Sequence, residues 1–351
     1  MRRFDYNFLN NYSIPGRFLN YVMSISSLKT ASEIRKPDFI EIYNKLEQVT
    51  IFQSVKHSNA IEGIIVKDKI INEIISSSHE PQNEDENTIL GYLDALNYIH
   101  ENHQNLSINE SLILHLHEML MHYTTIDSKG QYKTSDNVIL EIDQFGNRSI
   151  RFKPIAASET SKAMEQLILA YMDAQSDSSI NQLLLIPCFI LDFLCIHPFQ
   201  DGNGRMSRLL TILLLYKSGF DVVKYISFEQ QINLNKGDYY KSLKESSYNW
   251  DENNNDYIPY MENFIFTLYR CYHELDQRFN VVHSNKVNKQ TRIKETVLNS
   301  LIPISKQEIS SILLDVSITT IEKVLGELKR DGIITTIGSG RNTKYMKIRN
   351  Y

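Results

Sequence analysis

At 351 residues, 42% hydrophobic and 23% charged, the chain is long enough for two or three domains with real cores and has the composition of an ordinary globular protein. No stretch approaches the roughly 18 uninterrupted apolar residues of a membrane span, and the opening "MRRFDYNFLNNYSIPG" has no apolar core behind its arginines, so no secretory signal is expected. The net charge of −5 is unevenly spread: residues 285–351 carry 12 Lys and Arg against 6 Asp and Glu, a net of +6, while the rest carries 25 against 36, so the tail is expected to be a separate unit with its own partner surface.

In chain order the sequence is mostly helical, without internal repeats or low-complexity tracts. "DFIEIYNKLEQVTIFQSVKHSNAIEG" has apolar residues at helical spacing and stops at Gly63. "HEPQNEDENT" is expected to be a polar loop, followed by a helix over "ILGYLDALNYIHEN". Ser107 with Glu110, and Ser179 with Gln182, have capping-box spacing and predict two helix starts. Pro187, inside the second of these helices, predicts a kink or an adjusted start. One segment breaks the helical rhythm: "NVILEIDQFGNRSIRFKP" alternates apolar and polar on both sides of "FGN", the pattern of a β-hairpin, yet it has no sheet to join.

Two more helical stretches, "INLNKGDYYKSLKESSYNW" and "DYIPYMENFIFTLYRCYHEL", lead to a polar linker, "HSNKVNKQ". Beyond it, "TRIKETVLNSL", "SKQEISSILLD" and "SITTIEKVLGELKRDG" read as three short helices, and "IITTIGSGRNTKYMKI" as a two-stranded turnback through Gly338 and Gly340. That order is the pattern of a winged helix-turn-helix. Cys188, Cys195 and Cys271 are sparse and lack metal-ligand spacing, so buried free thiols and a cytoplasmic location are expected.

The stretch richest in chemistry is "HPFQDGNGRMSR", His197 to Arg208, set between two apolar segments. A glycine-rich loop that opens a helix offers unpaired N–H groups and a positive dipole end, both suited to an anion. Gly202 and Gly204 allow close backbone approach, and Arg205 and Arg208, three apart, share a helix face from which both can fork onto phosphate oxygens. Asp201 is placed to hold Mg²⁺, which takes one or two carboxylates plus substrate phosphates. His197 has an ordinary pKa near neutrality and can take a proton from a hydroxyl nucleophile. Each residue alone has a bland structural explanation; all of them within twelve positions point to phosphoryl or nucleotidyl transfer.

These twelve residues fit, without a mismatch, the signature of the Fic family, His-x-Phe-x-Asp/Glu-Gly-Asn-Gly/Lys-Arg-x-x-Arg. The resemblance implies a mainly helical fold and transfer of AMP from ATP and Mg²⁺ to a Ser, Thr or Tyr hydroxyl of a target protein. On it, His197 is the general base and Asp201 the metal ligand, while Gly202, Asn203 and Gly204 form an anion hole. Arg205 then contacts the α/β-phosphates, Arg208 the γ-phosphate, and Phe199 anchors the loop in the core. The hairpin at 137–153 lies where the family carries a flap that registers the target's backbone by strand addition. "GQYK", Gly130 to Lys133, is similar to the family's Gly-x-aromatic-Arg before the flap, with Lys133 in place of the arginine, which weakens any role needing a bidentate fork. "DYYKSL" resembles the family's nucleoside-pocket helix and assigns Tyr239 to the adenosine; Ser247 departs from the Asn often found there. "SNAIEG", Ser58 to Gly63, fits the family's inhibitory pattern Ser/Thr-x-x-x-Glu-Gly/Asn. Four residues apart, Ser58 and Glu62 share a helix face, from which Glu62 is expected to pair with Arg208 in the place of the γ-phosphate.

The architecture expected is therefore mainly α: an N-terminal helical region at 1–100 with the inhibitory motif, a catalytic core at 101–280 with one hairpin, and a winged helix at 288–351. Adenylyl transfer restrained by Glu62 is the leading function. Removal of AMP, transfer of another phosphate-containing group at the same site, and a DNA-binding regulator in which this site is secondary stay open beside it. Partners expected are the target protein, the chain itself through self-modification or a homodimer, and DNA or a docking protein at the tail, but no membrane.

Overall fold

The computed structural model describes residues 2–142, 148–283, 289–298, 300, 303–313, 315–340 and 343–348. The predicted "FGN" turn, most of the "HSNKVNKQ" linker and part of the C-terminal turnback lie outside them. The fold is mainly α. Two compact units divide the chain, Met1–Lys29 with Asp38–Cys271, and Thr30–Pro37 with Tyr272–Tyr351. Among the described residues no helix is long and apolar enough to cross a membrane.

The first unit runs through α1 (Gly16–Arg35), α2 (Ile40–Ile61), α3 (Asp68–Ile75), α4 (Glu84–Asn102) and α5 (Glu110–Met121). A hairpin of β1 (Ile139–Ile142) and β2 (Arg148–Phe152) follows, then α6 (Ala157–Ser176), α7 (Gln182–Ile196), α8 (Asn203–Lys217), α9 (Phe228–Leu234), α10 (Lys236–Ser246) and α11 (Ile258–His283). The last residues of α1 and α11 fall in the second unit. α7 and α8 are buried along nearly their whole length; α7 is apolar on nearly every side, as a fully buried helix commonly is, whereas α8 carries the buried Arg205 and Arg208 in its first turns. They form the centre of the unit, and the loop between them carries the motif.

Three helix starts differ from the sequence reading. α5 and α7 are capped by Asn109, whose Oδ1 accepts from Leu112 N at 2.8 Å, and by Asn181, whose Oδ1 accepts from Leu183 N at 2.9 Å. An asparagine immediately before the first turn supplies the cap by itself, so neither serine pair forms a capping box. α4 starts inside the expected polar loop, where Asn83 Oδ1 accepts from Glu86 N at 3.0 Å and three acidic residues in the first turn suit the helix dipole. Pro187 lies within α7 without moving its start. As the sixth residue of α7 it lies beyond the first turn and has no N–H to give to the Leu183 carbonyl one turn back. The stretch from "INLNKGD" onward divides at Asn235 into α9 and α10.

The hairpin is antiparallel, with Ile139 opposite Phe152 and a register irregularity between Ile139 and Leu140. In the second unit α12 (Lys289–Leu298), β3 (Ile304–Ser305), α13 (Lys306–Ile312), α14 (Ile318–Arg330), β4 (Ile334–Ile337) and β5 (Lys344–Lys347) follow one another. Their sheet order is β3-β5-β4. β3, absent from the sequence reading, is two residues long and runs directly into the capping box of Ser305 with Glu308. A core of its own, including Ile293, Val297, Ile309, Leu313, Ile321 and Leu325, holds this unit together.

Candidate functional site

The motif forms a tight link from α7 to α8. His197 ends α7 in the left-handed region, φ 52° and ψ 61°, and Gly202, φ 81°, turns the chain into α8. A Cβ on Gly202 would meet the end of the flexible Met121 side chain, which can give way, so it is the left-handed φ that calls for glycine there. Phe199 is fully buried, its ring stacked on His117 with centroids 3.7 Å apart and planes within 3°. Asn203 spends its side chain on the loop: Phe199 N donates to Oδ1 at 2.9 Å, and Nδ2 donates to Phe199 O at 2.8 Å. Asn203 also brings its backbone N–H, in the first turn of α8, within reach of an anion at the loop. Phe199→Ala is expected to destabilise the first unit by about 3–5 kcal/mol, read as a lower denaturation midpoint.

His117 braces the same loop from α5. Gly130 N donates to its Nδ1 at 3.1 Å, which leaves Nε2–H to donate to Asp201 O at 3.1 Å. Burial lowers its pKa to about 4, so it is a neutral strut. His197 has a similar environment. Its Nδ1–H donates to Leu194 O at 3.3 Å, which leaves the lone pair on Nε2. Burial is the largest influence and lowers its pKa to about 4; the Leu194 carbonyl and Glu62 raise it, while Lys133 and Arg151 lower it. At neutral pH this is an unprotonated imidazole.

The two arginines have different surroundings. Arg205 is buried and gives Nη2 to Asp201 Oδ2 at 3.0 Å, but its Nε and Nη1 are buried without a hydrogen-bond partner. Arg208, also buried, donates Nε to Ser58 Oγ at 2.8 Å and Nη2 to Ser58 O at 2.9 Å and to Glu62 Oε1 at 2.8 Å. Glu62, at the C-terminal end of α2, also presses against the loop: a Cβ on Gly204 would collide with its Oε1. The carboxylate thus lies where Gly204 leaves room for an anion. α2 is held there by a buried polar cluster in which Glu229 Oε2 accepts from Ser54 Oγ at 2.8 Å and from Ser227 Oγ at 2.9 Å, and Oε1 accepts from Tyr92 OH at 2.8 Å.

A cavity of about 720 Å³ opens beside the loop, its lining including Glu62, His197, Gly204, Arg208, Arg151 and Tyr239. Tyr239 is buried and contributes to the wall. Asp201 is exposed, its side chain at 58%, and no group of three or more His, Cys, Asp or Glu among the described residues is arranged to hold a metal. Cys188, Cys195 and Cys271 are buried free thiols. The structure thus brings His197, Gly204, Arg208, Tyr239 and Glu62 to one cavity, with Asp201 and Arg205 on its loop and Ser58 behind Arg208. The sequence reading missed His117, Asn137, Arg151 and Glu229, which reach the site only through contacts distant in sequence. A buried acid such as Glu229 inside "SFEQQ" carries no local signal.

Residues 107–215 match the profile described as the Fic/DOC family. A Fido domain-containing protein of Dictyostelium discoideum is 32% identical over 110 residues, covering 31% of this chain and 71% of that protein. Protein adenylyltransferase Fic of Nematostella vectensis is 24% identical over 205 residues, 56% of this chain and 43% of its own length. Protein adenylyltransferase fic-1 of Caenorhabditis elegans is 25% identical over 189 residues, 51% and 34%. The chain therefore spans less than half the length of these two adenylyltransferases. Among solved structures, a Fic family protein from Desulfovibrio desulfuricans superposes with a TM-score of 0.62 at 19% identity, covering 97% of this chain and 98% of that one. A Fic domain-containing signaling protein from Bacteroides thetaiotaomicron gives 0.61 at 20% identity, covering 72% and 94%. Both likenesses concern the fold.

Proposed function

This chain belongs to the Fic/DOC family, and from that premise we propose that it transfers AMP from ATP to a protein hydroxyl at the loop from His197 to Arg208, restrained by Glu62. One juxtaposition carries the reading: an unprotonated His197 with Nε2 available stands at the other end of a short loop from a buried Arg205 with two unspent donors. The first is a base for a hydroxyl; the second, beside the N-terminus of α8, is a seat for phosphate. The relatives named adenylyltransferases support the same chemistry.

In this mechanism the target hydroxyl oxygen bonds to the α-phosphorus, the bond to the bridging oxygen breaks, and pyrophosphate leaves. His197 Nε2 takes the hydroxyl proton, with Nδ1–H on Leu194 O fixing the tautomer. Arg205 and the first N–H groups of α8 hold the phosphates in line, and Tyr239 with its cavity wall takes the nucleoside. Asp201 would hold Mg²⁺, since one exposed carboxylate is a protein ligand set that ion commonly accepts, and the ion would neutralise phosphate charge there. Glu62 occupies the guanidinium that the γ-phosphate needs. In this reading 1–100 carries the restraint, 101–280 the transfer core with its flap at 137–153, and 288–351 a winged helix.

Incubation with labelled ATP, Mg²⁺ and a lysate, followed by mass spectrometry, tests the proposal by the appearance of AMP on Ser, Thr or Tyr of a target or of the chain itself. Label from a different nucleotide donor, or loss of AMP from a pre-modified protein, would favour the alternatives. The tail calls for its own reading. Its core is independent, its charge is +6 across residues 285–351, and Lys323, Lys329 and Arg330 are exposed on α14. We read it as a DNA-binding winged helix. Duplex affinity is expected to fall steeply with salt, by a slope of about −0.9 per phosphate neutralised, and to vanish on removal of residues 285–351. Failure to retain the full-length protein on DNA at low salt would assign the tail to protein docking.

A further inference from the structure

His197 holds a left-handed conformation that is costly for any residue with a Cβ unless its surroundings over-determine it. What over-determines it lies far upstream, just before the hairpin. Lys133 N donates to Pro198 O at 2.8 Å. Its Nζ donates to Ile196 O at 3.1 Å and to Asn137 Oδ1 at 3.0 Å, and Asn137 Nδ2 donates to Phe199 O at 3.2 Å. Carbonyls on both sides of His197 are therefore taken by one short segment. The Ile196 carbonyl is among those at the end of α7 that no N–H of the helix can reach, and a cation is the favoured partner for a helix C-terminus. Lys133 is only 3% exposed, so this is a built contact and not a surface lysine at rest.

We propose that Lys133 is a positioning residue for the transfer: through Ile196, Pro198 and Asn137 it fixes the backbone of His197 so that Nε2 faces the acceptor hydroxyl. The inference rests on the adenylyl-transfer reading above. The lysine is suited to the place because a compact ammonium with rotatable donors can serve two oxygens on different residues, where a planar fork favours two on one group. Burial lowers its own pKa to about 8, with Asp136 acting the other way, so it is charged at neutral pH. That charge, with Arg151 of β2, opposes protonation of His197, while the Leu194 carbonyl of α7 and Glu62 of α2 favour it. Lys133 thus holds the base in place and keeps it a base.

The test uses the full chain in a Glu62→Gly background, with Lys133→Met, Lys133→Arg and Asn137→Ala. Lys133→Met is expected to lower kcat by about ten- to a hundred-fold with KM for ATP little changed. It should also move the acid limb of kcat/KM upward by about half a pH unit or more, because an imidazole relieved of a nearby cation protonates more readily. Lys133→Arg restores the charge, and with it the position of the limb, but only part of kcat, because the planar fork serves the two separate oxygens less well. Asn137→Ala removes a strap without a charge and lowers kcat with the limb unmoved. The same shift should appear in an NMR titration of the His197 ring, which does not depend on turnover. Unchanged kcat in Lys133→Met overturns the inference, and so does a fall in kcat with neither limb nor ring titration moved. Absence of transfer in Glu62→Gly itself, with the ring titration still displaced by Lys133→Met, overturns the transfer reading and supports the arrangement of Lys133 on His197.

Discussion

Glu62→Gly is expected to raise AMP transfer, including transfer onto the chain itself, by about ten-fold or more. In the resting structure Arg208 Nη2 is bound to Glu62 Oε1 at 2.8 Å, and the carboxylate crowds Gly204. In the proposed mechanism a triphosphate entering this site would find its clamp occupied, and its α-phosphorus would be displaced from in-line attack. Transfer depends steeply on alignment, and a displacement near 1 Å can cost about a hundred-fold. Removing the carboxylate frees the guanidinium without touching His197 or the first turn of α8. Arg208→Ala should not be activated, and the double variant should be as inactive as Arg208→Ala alone, because the opened site then has no clamp. ATP affinity, measured separately in each variant, separates alignment from occupancy. Unchanged or lower transfer in Glu62→Gly would mean that Glu62 is no restraint, and loss of an AMP-removing activity would make it a catalytic residue instead.

His197→Ala should abolish measurable transfer, a loss of about 10²- to 10⁴-fold from the proton-transfer contribution, while nucleotide binding survives. The division follows from the proposed roles: His197 would take the hydroxyl proton at Nε2, whereas Arg205, Arg208 and the backbone of α8 would hold the phosphates. The pH dependence has a defined sign. His197 acts as a base only when neutral, and burial lowers its pKa to about 4. The kcat/KM of the free enzyme is therefore expected to stay level from neutrality to near pH 5 and to fall as the pH drops through about 4, well below the ordinary titration of histidine. An acid limb near 6.5 would mean that the imidazole is solvated in the working enzyme. Transfer near the wild-type rate in His197→Ala would remove it from the mechanism.

The site was legible in the sequence where its parts are contiguous. His197 to Arg208 is one loop and one helix turn, so spacing alone placed two arginines on a face and two glycines at the bend. Glu62 was legible for a different reason: its four-residue offset from Ser58 fixed a shared face, and the family resemblance supplied the partner, Arg208, which no local pattern reveals. Caps were misjudged because the serine pairs satisfy a spacing rule while Asn109 and Asn181, one residue before each helix, satisfy the geometry directly. The supporting residues were harder to see. Lys133 was marked by its place before the hairpin, but its contacts with Ile196 and Pro198 were not; His117, Asn137 and Glu229 act across long sequence separations, and burial of such polar groups is decided by which partners the fold brings to them.

Glu62 and Arg208 belong to the same chain, and α2 is fastened through Ser54, Tyr92 and Glu229 as well as through Ser58. The carboxylate is in consequence an internal ligand with an effective concentration set by geometry, which even for loosely tethered groups reaches the millimolar range. Diluting the protein leaves that competition unchanged, and nucleotide must overcome it at its own free concentration. In the proposed mechanism, ATP below that effective concentration would fill the cavity without displacing the carboxylate from Arg208, and control of the reaction would pass to whatever shifts the hold on α2.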